Sequence, residues 1–447
     1  MRISGTRNKR DEMTEVRVIG AGLAGSEAAC KLADSGCHVI LYEQKPVKFS
    51  PAHSSETFAE LVCSNSFKAS RVDSASGLLK AEMRMLGSVC LKVADTCSVP
   101  AGGALAVDRD IFSAGVTEEV RSRSNIEIRR EEFTEIDLSV PTIIATGPLT
   151  EGKLAEELRR LTGGESLYFF DAAAPILTAE SLDMSRLYSM SRYGLGGDDY
   201  LNAFFDKPGY EAFLEALVNA ECAELHSFEE QLVYEGCMPI EKLAKRGKDA
   251  IRYGPMKPVG LKNPETGHRP WAAVQLRREN EEGSMFNLVG FQTNLKFGEQ
   301  KRVFSMIPGL EHAEFARYGV MHRNSFMNAP EVLDGTLRIK GTDSVYIAGQ
   351  LSGTEGYMES AGCGILAAMF MLQRLNGKEP VPLPETTMLG ALMKYLNTPN
   401  KDFQPMGANM GILPSLKDEI RDKKERYAGY AARSLKDLEQ FIEENRL

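Results

Sequence analysis

The sequence predicts an α/β protein in which a parallel, doubly wound sheet is opened early, interrupted by an inserted α+β domain, and completed late in the chain. Three observations carry this expectation. The apolar, β-branched run Val16 to Ile19 leads into three closely spaced glycines and a helical pattern through Glu27 to Asp34. A second apolar run, His38 to Tyr42, ends at the carboxylate Glu43, and a third, Ser344 to Ala348, again ends in glycine. Strand, glycine turn, helix and strand open a nucleotide-binding α/β fold, and the late strand means that the chain returns to it.

Taken in order, residues 1–15 are polar and mixed in charge and are expected to form a disordered head without the apolar core of a signal peptide. Ser124 to Ile136 alternates as strands do, and Pro141 to Thr146 reads as a buried strand closed by Gly147 and Pro148. These belong with the opening unit, so the sheet domain is expected over 16–170 and again over 331–447. From Asp171 the pattern changes to loops bearing Gly and Pro, an amphipathic helix over Tyr210 to His226, and a basic segment. Residues 171–330 are therefore read as the inserted, substrate-facing domain. After Gly349 a glycine-rich turn leads to a helix over Ala361 to Leu375. The charged tail from Ser415 is helical, with Leu435, Leu438, Phe441 and Ile442 at helical spacing.

Composition narrows the function classes. A chain of 447 residues exceeds what one core organises, and its balance of 43% apolar and 26% charged residues is that of a globular protein. No stretch approaches the roughly 20 consecutive apolar residues of a membrane helix. The eight cysteines are scattered and none pair as Cys-x-x-Cys, so neither a disulfide framework nor a zinc site is supported, no metal is expected, and a reducing cytoplasm is the expected compartment. A net charge of −9 excludes a protein that coats nucleic acid by bulk charge. Local charge differs: between Glu241 and Arg278 stand ten basic residues, among them Lys245, Arg246, Lys248 and Arg252, against three acidic ones.

The chemistry begins at Gly20-Ala21-Gly22-Leu23-Ala24-Gly25. Glycine there permits a tight turn, close approach of backbone N–H groups to a pyrophosphate, and close packing of the helix that follows. Glu43 stands 18 positions after Gly25, where a carboxylate can accept from ribose hydroxyls. The return of the chain to this fold indicates FAD rather than NAD. Ala145-Thr146-Gly147 resembles the strand-ending motif of two-domain flavoproteins, and Tyr346-Ile347-Ala348-Gly349-Gln350 their late segment at the flavin ribityl and phosphate; many carry an acidic residue where Gln350 stands. The fold expected is thus a Rossmann-like FAD-binding domain with an insertion. Two cysteines have unusual settings: Cys63 among the small polar groups of Cys63-Ser64-Asn65-Ser66, and Cys237 on the Gly/Pro-bounded turn Gly236-Cys237-Met238-Pro239, just ahead of the basic segment.

Together Gly20 to Ala29, Pro51-Ala52-His53, Glu60 to Ser66, Cys97 to Asp108, Glu235 to Glu241 and Gly349 to Gly364 resemble the folate- and FAD-dependent tRNA uracil-5-methyltransferases. The resemblance implies FAD reduced by NADH or NADPH, a one-carbon unit from 5,10-methylenetetrahydrofolate, and 5-methyluridine made in a tRNA T-loop. It also implies that Cys63 and Cys237 are the two functional cysteines: one adds to C6 of uracil, the other serves as base or guards the methylene, and which does which stays open. The basic segment beside Cys237 would hold RNA phosphates. The rival readings are a wobble-uridine-modifying flavoprotein, methylation of a ribosomal RNA uridine, and an RNA-binding protein that keeps FAD without catalysis.

Overall fold

A computed structural model describes residues 14–163, 167–194, 197–223, 238–401 and 403–445. Residues 1–13, most of the expected disordered head, and Cys237 lie outside the described residues.

The first domain is built on a five-stranded sheet, all parallel, in the spatial order Val345–Ile347, Thr142–Ile144, Glu15–Ile19, His38–Tyr42, Ile126–Arg129. By order along the chain this is 5-4-1-2-3, the doubly wound arrangement whose direction reverses between the first and fourth strands. The returning strand pairs Tyr346 with Ile143 and Ile347 with Ile144. The chain therefore does re-enter its first sheet. Of the stretch Ser124 to Ile136 only Ile126–Arg129 is strand, because only those residues find a partner, in His38–Tyr42.

Two helices cover the sheet at its reversal point. Leu23–Asp34 and Tyr357–Leu375 approach so closely that a Cβ on Gly364 would lie 2.1 Å from the Ala24 carbonyl oxygen. The second helix begins at Tyr357, four residues before the expected Ala361, which brings Tyr357 itself onto the first turn. The tail forms Lys423–Asn445 and buries Leu438 and Phe441 against the same core. Buried carboxylates anchor this packing: Glu27 accepts from the Val89 and Cys90 N–H groups, and Glu82 accepts from those of Met388 and Leu389 at the start of another helix.

The second domain has its own core around a six-stranded antiparallel sheet in the order Leu187–Ser189, Tyr200–Phe205, Ala272–Arg278, Met285–Leu288, Ile176–Thr178, Phe315–Arg317. The chain enters and leaves it along one antiparallel ribbon, Leu167–Ala172 with Met321–Phe326. The helix expected over Tyr210 to His226 runs instead over Lys207–Val218. Asp206 caps its start by accepting from the Gly209 N–H, and Asn219 ends it.

Candidate active site

A cleft of about 430 Å³ opens at the reversal point of the parallel sheet. Gly20, Gly22, Leu23, Ala24, Glu43, Thr146, Gly147, Gly349 and Gln350, all singled out in the sequence, line it, and so does Cys63. Gly25 does not line it.

The three glycines of the turn have three different causes. Gly20 has φ +94, and a Cβ there would sit 2.7 Å from the Ala145 carbonyl oxygen, so adjacent strand ends leave it no room. At Gly25 a Cβ would lie 1.7 Å from the Gly20 carbonyl oxygen; this glycine lets the helix pack on its own turn. Gly22 is different. Its φ of −71 suits any residue, and a Cβ there would touch nothing within 4 Å. Among the described residues nothing requires glycine at Gly22, whereas a pyrophosphate drawn against the backbone would. The helix it opens has neither a side-chain cap nor an acidic first turn, leaving its positive end for an anion. Beside it the buried Glu43 accepts from the Ala21 N–H at 3.1 Å and the Lys45 N–H at 3.0 Å. One carboxylate thus holds the glycine turn while facing the cleft. The residues present fit FAD.

Gln350 meets a carboxylate where many flavoproteins present one themselves: its amide donates to Glu355 at 2.6 Å. Both side chains line the cleft.

At the other end, Cys63 is held by its backbone. The Tyr357 hydroxyl accepts from the N–H groups of Cys63 at 2.7 Å and Ser64 at 3.2 Å, and burial pushes that phenol well above its ordinary range. Three guanidiniums grip the same loop. Arg109 donates to the carbonyls of Leu61 and Cys63, Arg317 to that of Val62, and Arg277 to the Ser64 hydroxyl at 2.8 Å and the Asn65 side chain at 2.9 Å. All three charges act on Cys63 electrostatically. Burial works against the charge on each; for Arg109 the paired carboxylate of Glu279 outweighs it, while Arg277 and Arg317 are left below the usual guanidinium range. Three guanidiniums thus converge on a half-buried cysteine.

This clamp joins the domains. Arg277 and Glu279 belong to the inserted sheet and its edge, whereas Arg109 and Cys63 belong to the parallel-sheet domain. Asn65 completes the joint by donating to the Arg278 carbonyl at 3.0 Å. His53, from the Pro51-Ala52-His53 motif, also lines the cleft; burial and then Lys45 lower its affinity for a proton, leaving a neutral imidazole that can accept one.

The basic segment divides in two. Lys245, Arg246 and Lys248 are exposed, but Arg252 packs on Trp271 and donates to the Trp271 carbonyl, and Arg277 is buried in the cysteine clamp. Glu241, at the end of the Cys237 motif, is buried and accepts from the Thr293 hydroxyl and the Asn294 N–H, anchoring the first turn of the helix Ile240–Lys245. Sequence reasoning missed Arg109, Arg317 and Tyr357 as partners of Cys63, and Glu279 as the partner of Arg109; Tyr357 lay within the Gly349 to Gly364 motif, but nothing in the sequence tied any of the four to the cysteine.

Residues 15–379 match the family model described as glucose inhibited division protein A. The chain is 53% identical over 428 residues to the methylenetetrahydrofolate–tRNA-(uracil-5-)-methyltransferase TrmFO of Acetivibrio thermocellus, covering 96% of this chain and 98% of that one. It is 52% identical to the protein of that name from Halalkalibacterium halodurans, with the same coverage. The chain belongs to the TrmFO family. Among solved structures, Aquifex aeolicus GidA superposes with a TM-score of 0.68 at 17% identity, covering 97% of this chain and 74% of that one, which shows the shared fold. Among the described residues no helix is long and apolar enough to cross a membrane, and no group of three or more metal-ligating side chains occurs.

Proposed function

We propose that the chain transfers the one-carbon unit of 5,10-methylenetetrahydrofolate to C5 of a T-loop uridine in tRNA, forming 5-methyluridine in the cytoplasm, with bound FAD and with NADH or NADPH as reductant. The observation that carries this reading is the placement of Cys63, among three guanidiniums, on the cleft that the glycine turn also lines. C5 of uracil is a poor nucleophile until a thiolate adds to C6 and makes an enolate. One of Cys63 and Cys237 performs that addition; the other is the base for the C5 proton or guards the methylene. FAD, when bound and reduced, supplies the hydride that completes the methyl group.

In this reading residues 16–170 and 331–447 hold the flavin through Gly20, Gly22, Leu23, Ala24, Glu43, Thr146, Gly147, Gly349 and Gln350. Residues 171–330 face the RNA, with Lys245, Arg246 and Lys248 on its phosphates. Gly25 and Arg252 act by packing. The decisive experiment incubates the purified protein with NADPH, methylenetetrahydrofolate and unmodified tRNA and looks for 5-methyluridine by mass. Formation of any other modified uridine, or of none, removes the reading.

A further inference from the structure

Away from the cleft, the inserted domain carries a stack that the proposed reaction does not use. The Arg252 guanidinium lies 4.0 Å from the ring centroid of Trp271 and 5.5 Å from that of Tyr253. The stack ends in Tyr253, which is 75% exposed. A second exposed ring belongs to a loop that meets the segment following Tyr253, where Arg192 donates to the Lys257 carbonyl. Tyr193, 66% exposed, has φ +58, a left-handed conformation that a tyrosine adopts only when its surroundings hold it there.

Those surroundings are visible. The Tyr193 N–H donates to the Gly260 carbonyl at 3.1 Å, and its ring covers Gly260 so closely that a Cβ there would lie 3.0 Å from it. Arg192 ties the two loops to the sheet, donating to the Val259 carbonyl at 3.0 Å and to the Gln275 side chain at 2.7 Å. The Tyr193 ring is thus backed by Gly260, the Tyr253 ring has the Arg252 guanidinium 5.5 Å from its centroid, and both are open to solvent. Lys248, Lys257, Lys262 and Arg269 are exposed on the same stretch of chain, which also carries exposed Asp249 and Glu265. Fixed, open aromatic faces among cations complement unpaired nucleobases, whose π-faces stack while their phosphates pair with lysine.

The position also fits. Trp271 immediately precedes the strand Ala272–Arg278, and Arg277 on that strand grips the Cys63 loop. At strand rise, six residues place the stack about 20 Å from the cysteine clamp. A folded RNA stem-loop spans that distance.

We propose that Tyr253 and Tyr193 form a stacking platform for unpaired bases of the RNA substrate, separate from the cleft that takes the reacting uridine, with the neighbouring lysines on its phosphates. This rests on the reading of the chain as an RNA-modifying enzyme. The test is equilibrium binding of an unmodified tRNA transcript to the full-length, FAD-loaded protein over a range of salt concentrations. Tyr253→Ala and Tyr193→Ala are each expected to weaken binding between about 5- and 100-fold with the salt dependence unchanged, while Tyr253→Phe keeps wild-type affinity. Replacing Lys257 and Lys262 with alanine is expected to flatten the log–log salt slope by about one per lysine. In turnover the tyrosine variants raise KM for tRNA and leave kcat unchanged. Affinity within about twofold of wild type in both alanine variants overturns the platform, the result expected if this face instead serves a protein partner. Equal losses in Tyr253→Phe and Tyr253→Ala overturn stacking as its basis. A wild type that binds no tRNA overturns the reading beneath it instead.

Discussion

The two ends of the cleft are made of different material. At the nucleotide end the working groups are backbone N–H and the space left by missing side chains: Gly20, Gly22 and the helix they open lie within a few residues of one another. At the cysteine end the working groups are long side chains, brought to Cys63 from Arg109, Arg277, Arg317 and Tyr357. The Cys63 loop meets Tyr357 across 294 positions and Arg317 across 255. The first end tolerates change poorly because nothing but glycine leaves the required space. The second depends on two domains keeping their relative position.

Substitutions at the glycines separate the two kinds of requirement most sharply. Gly22→Glu is expected to leave the protein folded and colourless, since its side chain enters only the path of the pyrophosphate and adds like charge there. Gly25→Ala, with 1.7 Å to the Gly20 oxygen, is expected to disrupt the domain itself. Flavin absorbance and thermal unfolding measured on both would break the distinction if Gly22→Glu stayed yellow.

At the cysteine end, Cys63→Ser and Cys237→Ser are each expected to keep fold and flavin while methyl transfer falls by at least about a thousandfold, because a hydroxyl does not ionise at neutral pH. With 5-fluorouridine tRNA the C5 position carries no removable proton, so the wild type should be trapped as a covalent adduct. Only the variant lacking the C6 nucleophile loses it. Near wild-type methylation in both variants would remove covalent catalysis by these residues.

A smaller effect is expected from Arg277→Lys. Lysine keeps the charge but not the forked contact to both Ser64 and Asn65, so the Cys63 loop shifts. A fall in kcat of about a hundredfold, with flavin content unchanged and KM for tRNA little altered, is the signature of a positioning role. A change confined to KM would make Arg277 part of RNA docking.

The smallest effect lies in the framework behind both ends. Burial raises the Glu82 carboxyl from 4.5 to about 7 despite its hydrogen bonds from Ser434 and the Met388 and Leu389 N–H groups. Between those values the folded protein binds more protons than the unfolded chain, so this group makes stability fall as pH rises from about 4.5 to about 7. Melting temperatures across that window should decline less steeply in Glu82→Gln than in the wild type. Parallel curves would show that Glu82 does not titrate there.

The same contrast explains what could be read in advance. Local patterns determined the glycine turn, the parallel sheet, the carboxylate Glu43 and the late return at Gly349, because each rests on backbone geometry that neighbouring residues impose. Cys63 stood out only by its small polar neighbours and by family resemblance. What tertiary structure alone decided is its company: Arg277, counted in the sequence with the exposed basic segment, turns inward to the cysteine loop, while Arg252 is absorbed into a stack on Trp271. Charge can be counted along a chain, but whether a guanidinium faces water, a ring or a thiol depends on which distant element lies beside it, and the sheet pairing within each domain and the contacts between the domains set that.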